Sequence, residues 1–315
     1  MTRQTSRLMT VMVLALGGAA LTSGRPSGQA SQPAVPVIDM HVHTTNTTPA
    51  ALESLAGISL RYVFLAGLAA DLREWATSYH GGYVPALGFP CADGRAPFVP
   101  RACFDTPTDL PDVNWLRGEL QSGRLKALGE LIPEYFGMSP QDARLEPYWA
   151  LAEELDVPVS IHMGPGPPGT AYAGGISPVT FPAFKMTLGD PLLLEDVLLR
   201  HKRLRLNVAH AGWPRLESMQ ALLYAHPNVY VDLGALTAEF MVPRAAYYSY
   251  LRALVEAGFA KRIMFGSDFP AQVGPGVNAI LAATFLTDEQ KADILCENAA
   301  RFLRLPVATC AGEAR

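Results

Sequence analysis

Two histidines stand one residue apart at the end of an apolar run, in Ile38-Asp-Met-His41-Val-His43. In an extended strand residues i and i+2 share a face, so the imidazoles of His41 and His43 point the same way. Imidazole nitrogens and carboxylate oxygens are ligands of catalytic divalent metals, and such a metal lowers the pKa of its bound water toward about 7. A nearby carboxylate can then take the proton of that water. The further polar residues that end apolar runs are Glu130, His162, His210 and Asp268, and the whole set predicts metal-assisted hydrolysis.

Eight short apolar runs carry these residues toward one place. The runs are nearly continuous in their apolar character, which is typical of parallel strands that are buried on both faces. The strands predicted from them are Val35–His43, Leu60–Ala66, Tyr83–Gly88, Leu125–Leu131, Val157–His162, Leu204–Ala209, Val229–Leu233 and Arg262–Asp268.

Helical patterns separate these runs, and the alternation predicts an α/β fold of the (β/α)8 TIM-barrel type. An open doubly wound sheet is disfavoured because no glycine-rich dinucleotide fingerprint follows any of the strands. In a barrel the polar strand ends meet at the C-terminal face, where the metal site is expected together with the long loops 89–108 and 163–188. The clearest predicted helices are Leu145–Asp156, Leu192–Arg200, Arg215–Ala225, Arg244–Gly258 and Asp288–Leu303.

The first thirty residues have the order of a secretory signal peptide. Arg3 and Arg7 precede an apolar stretch over 8–21, and a polar segment follows with Gly28-Gln-Ala30 as a small-residue cleavage site. Residues 31–315 are then expected to form a single barrel domain of an exported protein, periplasmic or secreted. No stable membrane insertion is expected after signal cleavage, and an uncleaved anchor is the alternative.

The charge of the chain limits its partners. The formal net charge is −4 for 315 residues, and removal of the signal segment deletes basic residues and no acidic ones. Nucleic acid is therefore excluded as a partner, because phosphate binding needs a basic face. The expected partner is a small-molecule substrate, and self-association into a homo-oligomer is left open.

Four cysteines are present, and an oxidising compartment would permit them to pair. Four cysteines allow three connectivities, and the sequence does not choose among them. A Cys91–Cys103 bridge would stiffen the proline- and glycine-containing loop between these two residues. No CxxC spacing supports a thiolate zinc site.

The motifs together resemble the amidohydrolase superfamily, and within it the amidohydrolase 2 branch related to aminocarboxymuconate-semialdehyde decarboxylase. The resemblance extends from residue 38 to residue 303, and its motifs occur in the expected order at strand ends. The matching pieces are Ile38-Asp-Met-His41-Val-His43, Gly129-Glu130, Ile161-His162, His210-Ala-Gly, Gly266-Ser-Asp268-Phe-Pro270 and the terminal Glu297–Leu303.

The resemblance implies that His41, His43, His162 and Asp268 bind a divalent metal, most simply one zinc ion, with two ions as the alternative. Asp268 would also be the proton shuttle. His210 would face the substrate in a one-metal site or bind metal in a two-metal site. Glu130 stands where two-metal relatives carry a carboxylated lysine or a glutamate, so it would bridge two metals, bind one, or contact substrate. The nearby Asp39 is expected to be an orienting hydrogen-bond partner.

The leading hypothesis is a metal-dependent hydrolase that cleaves an amide, lactone or ester-like bond of a small molecule. The alternative within the branch is a non-oxidative decarboxylase, a C–C lyase that uses the same metal to hold a carboxylated substrate. A cationic residue at the mouth would favour this alternative, and Arg95, Arg101 and Lys185 are the candidates. A third reading is a non-catalytic periplasmic binding protein.

Overall fold

The computed structural model describes residues 35–311 except 56, 93–94, 96–100 and 174–179, with the side chain of residue 307 also undescribed. The predicted signal segment, residues 1–30, lies outside the described residues. None of the helices in the described part of the chain is long and apolar enough to cross a bilayer.

Eight parallel strands form one sheet in which each strand pairs with the next along the chain. Helices surround this sheet, so the prediction of a (β/α)8 TIM barrel is confirmed. The strands are β1 (Pro36–His43), β2 (Ser59–Gly67), β3 (Gly82–Phe89), β4 (Ala127–Leu131), β5 (Val159–His162), β6 (Leu206–Ala209), β7 (Val229–Asp232) and β8 (Ile263–Met264).

The seam between the first and last strands is irregular. The amide of Met40 donates to the carbonyl of Phe265 at 2.9 Å, and the amide of Asp268 donates to the carbonyl of His41 at 2.8 Å. The predicted eighth strand, Arg262–Asp268, was too long, because only Ile263 and Met264 have regular strand pairing. The rest bends onto β1, and Asp268 has a φ of 64°, which is incompatible with a strand.

The helices follow the strands as the barrel requires. The predicted Arg244–Gly258 helix ends its regular α-helical part at Leu254, before Gly258 with its φ of 91°. The predicted Asp288–Leu303 helix is two α-helices joined by a wider turn. The helices are α1 (Pro49–Glu53), α2 (Ala69–Ser78), α3 (Val113–Gln121), α4 (Glu146–Leu155), α5 (Glu195–Arg200), α6 (Leu216–Ala225), α7 (Arg244–Leu254), α8 (Val273–Ala282), α9 (Asp288–Ala292) and α10 (Asn298–Leu303).

The last helix packs against the strand that carries the histidine pair. α10 contacts β1, and Ile38 and Met40 are buried in one apolar cluster with Ala299 and Phe302. The pairing of β1 with β2 shifts register between Asp39 and Val42, so side chains do not alternate regularly through this segment. The first part of β1 therefore belongs to the apolar cluster, and the histidine pair lies in and after the irregular segment.

Two disulfides pair all four cysteines, Cys91 with Cys103 and Cys296 with Cys310. The first closes the loop after β3, as the sequence allowed. The second ties the segment before α10 to the end of the described chain.

Candidate metal centre

The two histidines of β1 form the centre of a cluster at the C-terminal face of the barrel. Their Nε2 atoms lie 3.1 Å apart. Glu130, at the end of β4, places its Oε2 atom 3.6 Å from Nε2 of His41 and 3.5 Å from Nε2 of His43. Asp268, after β8, places its Oδ1 atom 3.7 Å and 3.3 Å from the same two nitrogens. Strand ends far apart in sequence thus bring two nitrogens and two carboxylates together.

A buried carboxylate orients His41. Asp232, the last residue of β7, accepts from Nδ1 of His41 at 3.1 Å and is completely buried. The same carboxylate also accepts from Asn207 and from the amide of Gly234. A carboxylate on Nδ1 fixes the tautomer and leaves the Nε2 lone pair for a metal. Asp232 was missing from the sequence prediction, although it is a polar residue at a strand end like the others.

His162 and His210 are oriented in the same way. Nδ1 of His162, at the end of β5, hydrogen bonds to the carboxylate of Glu134, which is fully buried. Nδ1 of His210, directly after β6, donates to the carbonyl of Gly234 at 2.9 Å. The Nε2 atoms of both rings are therefore the ones free to act in the cluster. Glu134 was also missed, because it lies in a short helical turn beyond β4 rather than at the strand end.

Glu130 lies between two groups of ligand atoms. One group is His41, His43 and Glu130, and the other is Glu130, His162 and His210, with the ligand atoms of each group within 4.8 Å of one another. Its Oε2 atom faces the β1 histidines, and its Oε1 atom lies 3.3 Å from Nε2 of His210. A carboxylate in this position could bind a single cation held by either group. It could also contact two cations, one in each group.

The donor set fits a divalent metal. Imidazole nitrogens and carboxylate oxygens converge, and the Nδ1 atoms of three of the rings already have partners. Oε1 of Glu130 is buried without a hydrogen-bond partner, which is costly unless a cation or proton satisfies it. Metal sites in proteins use these ligand types, and their histidines are oriented by the same kind of hydrogen bond at Nδ1.

The electrostatics of the cluster also favour positive charge. Burial disfavours a charged His41, but the carboxylates of Asp232, Glu130 and Asp268 outweigh burial and raise the pKa of His41 well above its usual range. Burial also opposes ionisation of Glu130, yet His41 and His210 hold the pKa of Glu130 well below its usual range. Against the same effect of burial, His41 and His43 lower the pKa of Asp268 to about 2. A divalent metal ion would supply the positive charge that a protonated His41 otherwise provides to these carboxylates.

The backbone at two glycines, Gly234 and Gly266, lies against the side chain of His41. A Cβ atom on Gly234 would lie 2.6 Å from Nδ1 of His41, and one on Gly266 would lie 2.9 Å from Cβ of His41. Any larger residue at either position would displace the ring. Asp39 accepts hydrogen bonds from the amides of His41 and Ser267 at 3.0 and 2.9 Å, so its predicted orienting role is confirmed.

An open cleft lies beside the cluster. His43 and Glu130 form its polar end, and its walls come from the ends of β2, β3 and β4 and from the loop after β3. The Cys91–Cys103 disulfide is part of this wall. Asp268 keeps 16% of its side chain exposed, so the cluster is reachable from solvent.

The cationic candidates of the sequence do not join the cluster. Arg101 pairs with Asp71 of α2 through both ends of its guanidinium, at 2.6 and 2.8 Å. Asp71 also accepts from the hydroxyl of Thr44, which directly follows His43. Arg95 and Lys185 are exposed side chains. The six predicted metal and catalytic residues, in contrast, all lie at the C-terminal face: His41, His43, Glu130, His162, His210 and Asp268.

Solved structures share this architecture. An uncharacterized TIM-barrel protein from Bordetella bronchiseptica is 16% identical over 88% of this chain and 99% of its own, with a TM-score of 0.59. Dihydroorotase from Campylobacter jejuni is 15% identical, over 87% and 85% of the two chains, with a TM-score of 0.54. 2,6-Dihydroxybenzoate decarboxylase from Rhizobium is 14% identical, over 87% and 99%, with a TM-score of 0.54. At such identities the likeness establishes the fold alone.

The sequence itself carries the family assignment. No curated protein matches the chain significantly. The Amidohydrolase family profile (Amidohydro_2) matches residues 66–305, which is most of the chain and contains four of the six cluster residues. This chain therefore belongs to the amidohydrolase family, whose members are metal-dependent enzymes.

Proposed function

We propose that this protein is a metal-dependent hydrolase that cleaves an amide, lactone or ester-like bond of a small molecule. The observation that carries the proposal is the position of Asp268. Its carboxylate lies 3.3 Å from Nε2 of His43 and is open to solvent on the side of the barrel mouth. A base beside the ligand nitrogens and within reach of water is what hydrolysis of a carbonyl compound needs.

His41, His43, His162 and Asp268 would hold the ion, and Glu130 is positioned to join them or to hold a second one. Their nitrogen and oxygen donors suit zinc. A divalent ion held there would polarise a carbonyl group and lower the pKa of a bound water.

The chain's own residues would manage the proton. Asp268 is ionised at neutral pH because His41 and His43 overcome the effect of burial and lower its pKa to about 2. It can therefore accept a proton on its carboxylate and pass it to the leaving group. His210 keeps Nδ1 on the carbonyl of Gly234, so Nε2 is the atom that can exchange a proton or hydrogen bond with the substrate.

The contacts of the cationic residues favour hydrolysis over decarboxylation. A cationic residue at the mouth that pairs with the carboxylate of the substrate would favour a decarboxylase. Arg101 is already paired with Asp71 through two hydrogen bonds. Arg95 and Lys185 are exposed, and neither lines the cleft.

Metal analysis of the purified protein tests the proposal together with a screen of amides, lactones, esters and aromatic carboxylates. We expect stoichiometric zinc or a related ion, hydrolysis of at least one carbonyl substrate, and incorporation of oxygen from labelled water into the product. His41→Ala should lose both metal and activity, and Asp268→Asn should lose activity. His80→Ala is the matched control, because His80 is an exposed histidine outside the cluster.

The outcomes separate the alternatives. Release of carbon dioxide without incorporation of water oxygen would replace the hydrolase proposal with a decarboxylase. Absence of metal under every loading condition would contradict both enzyme proposals. A protein that binds metal and ligands but turns over none of the substrate classes would be a binding protein. A stoichiometry of two ions would assign Glu130 and His210 as ligands.

We also propose that the protein is exported and processed near Ala30. The N-terminal sequence supports this, and so does the pairing of all four cysteines in disulfides, which persist in oxidising compartments. N-terminal sequencing of protein recovered from the periplasm or medium should begin close to Ser31. Retention of the complete N-terminus in a membrane fraction would support the uncleaved anchor instead.

A further inference from the structure

The cleft beside the metal cluster has a strongly apolar wall. Leu68, Phe89 and Ile132 line it and keep at most 7% of their surface exposed. The Cys91–Cys103 disulfide adds two sulfur atoms that cannot ionise. Among the described residues, polar lining is restricted to the end at the metal cluster and to Thr45, which lies two residues beyond His43. The described wall away from the cluster offers dispersion contacts and no charge.

Nothing in this wall would neutralise a negatively charged group. Among the described residues that line the cleft, none is a lysine or an arginine. A carboxylate pressed against such a wall would lose hydration without gaining a partner, which is strongly unfavourable.

The charge of the cluster acts in the same direction. Asp232, Glu130 and Asp268 all lie within 3.7 Å of a nitrogen of His41. Three carboxylates outweigh the charge of one divalent cation, so the region beyond the ion repels a second anionic group.

We propose that the cleft selects substrates whose part remote from the reacting carbonyl is uncharged and apolar. The class is a neutral alkyl or aryl ester, lactone or amide that lacks a distal carboxylate. This inference rests on the proposed function for the reaction itself, while the selection between neutral and charged ligands is a binding property of the cleft. The two can therefore be tested separately.

The binding test uses two unreactive ketones with the zinc-loaded protein. One is 4-phenylbutan-2-one, and the other is the same ketone with a carboxylate at the para position of the ring. Calorimetry should show the neutral ketone binding at least about tenfold more tightly. The parallel activity test compares benzyl acetate with 4-carboxybenzyl acetate, which have the same shape as the two ketones.

A charge introduced into the wall should reverse the selection. Thr45 is a partly exposed lining residue, so Thr45→Lys can place an ammonium group in the cleft without filling a core position. We expect this variant to bind the carboxylated ketone at least as tightly as the neutral one. Thr45→Met, of similar length and without charge, should keep the selectivity of the wild type.

The results distinguish the two proposals. Equal or tighter binding of the carboxylated ketone by the wild type, or no detectable binding of either ketone, would overturn the neutral-cleft inference. A reversal produced equally by Thr45→Met would overturn it as well. Selection between the ketones without hydrolysis of either ester would keep the inference and count against the hydrolase. Preferential hydrolysis of the carboxylated ester would keep the hydrolase and discard the neutral cleft.

Discussion

The two ends of the barrel differ in the side chains that they bury. At the N-terminal end, α10 covers the strands with apolar side chains, and Arg205 donates from Nε to Asp156 at 3.0 Å. At the C-terminal end, buried oxygens of Glu130 and Glu134 have no hydrogen-bond partner. Unsatisfied carboxylate oxygens are costly in a low-dielectric interior, so the two beside the histidine cluster mark a place where a bound cation would be stabilising. The apolar contacts at the N-terminal end contribute folding free energy that offsets this cost.

The largest effect should follow from a cavity at the N-terminal end. Phe302 of α10 is 2% exposed and packs against Tyr230 with ring centroids 5.1 Å apart. Phe302→Ala should lower the free energy of unfolding by about 3–5 kcal/mol, as measured by urea denaturation. Metal content per folded molecule should not change. Phe240→Ala is the control, because Phe240 is 69% exposed and its loss should have little effect.

A loss of metal from the folded fraction of Phe302→Ala would contradict the claim that the N-terminal end contributes stability without taking part in metal binding. Metal content must therefore be measured on the folded fraction, after gel filtration at a temperature well below the unfolding transition.

An intermediate effect should follow at the C-terminal end. Asp232→Asn keeps the size of the side chain but removes the charge that orients Nδ1 of His41. We expect metal affinity to fall by about 10- to 100-fold, as is typical for outer-shell partners of ligand histidines. Competition with a chelator measures the affinity, and urea denaturation of the metal-free protein reports stability. An unchanged affinity would show that His41 is oriented without Asp232.

The smallest effect should follow at an exposed ion pair outside the metal cluster. Arg144 hydrogen bonds to Asp142 and lowers the pKa of Asp142 from 3.8 to about 2. Because the folded pKa is the lower one, this pair stabilises the protein above about pH 4 and loses its contribution as the pH falls toward 2. Asp142→Asn should therefore cost less than about 1 kcal/mol at pH 7, because exposed pairs are weak.

The difference in unfolding free energy between Asp142→Asn and the wild type should shrink as the pH is lowered from 6 to 3. A difference that grew on acidification would contradict the assigned pKa direction. The same variant should leave metal affinity unchanged, which makes it the charge-matched control for Asp232→Asn.

The sequence predicts most of the scaffold because each strand is a local apolar pattern. It also predicts six cluster residues, since a polar residue at a strand end is visible without knowledge of the neighbours. Asp232 was not predicted as a site residue because Leu233 follows it, so the apolar run continues past the end of the strand. Glu134 escaped because its importance depends on His162, which is brought to it only by tertiary folding.

The last strand shows the same limit. Arg262–Asp268 has the composition of a strand, but Asp39 and His41 draw Ser267 and Asp268 out of the ladder through backbone contacts. The apolar cleft wall was also invisible in the sequence, since it is assembled from separate strand ends and a disulfide loop. Contacts between residues far apart in sequence determine the end of the last strand and the cleft wall, and local residue propensities do not reveal them.

The irregular seam between β1 and the segment after β8 has a consequence for biogenesis. Ser267 lies 226 positions after His41, so their contact requires the closure of a very long loop. A growing or truncated chain that lacks the Asp268 segment cannot assemble the full ligand set, even with both β1 histidines present. The ligand set proposed for the metal would therefore be complete only in a chain that includes this segment. If the protein crosses a membrane unfolded, its metal must be acquired on the far side.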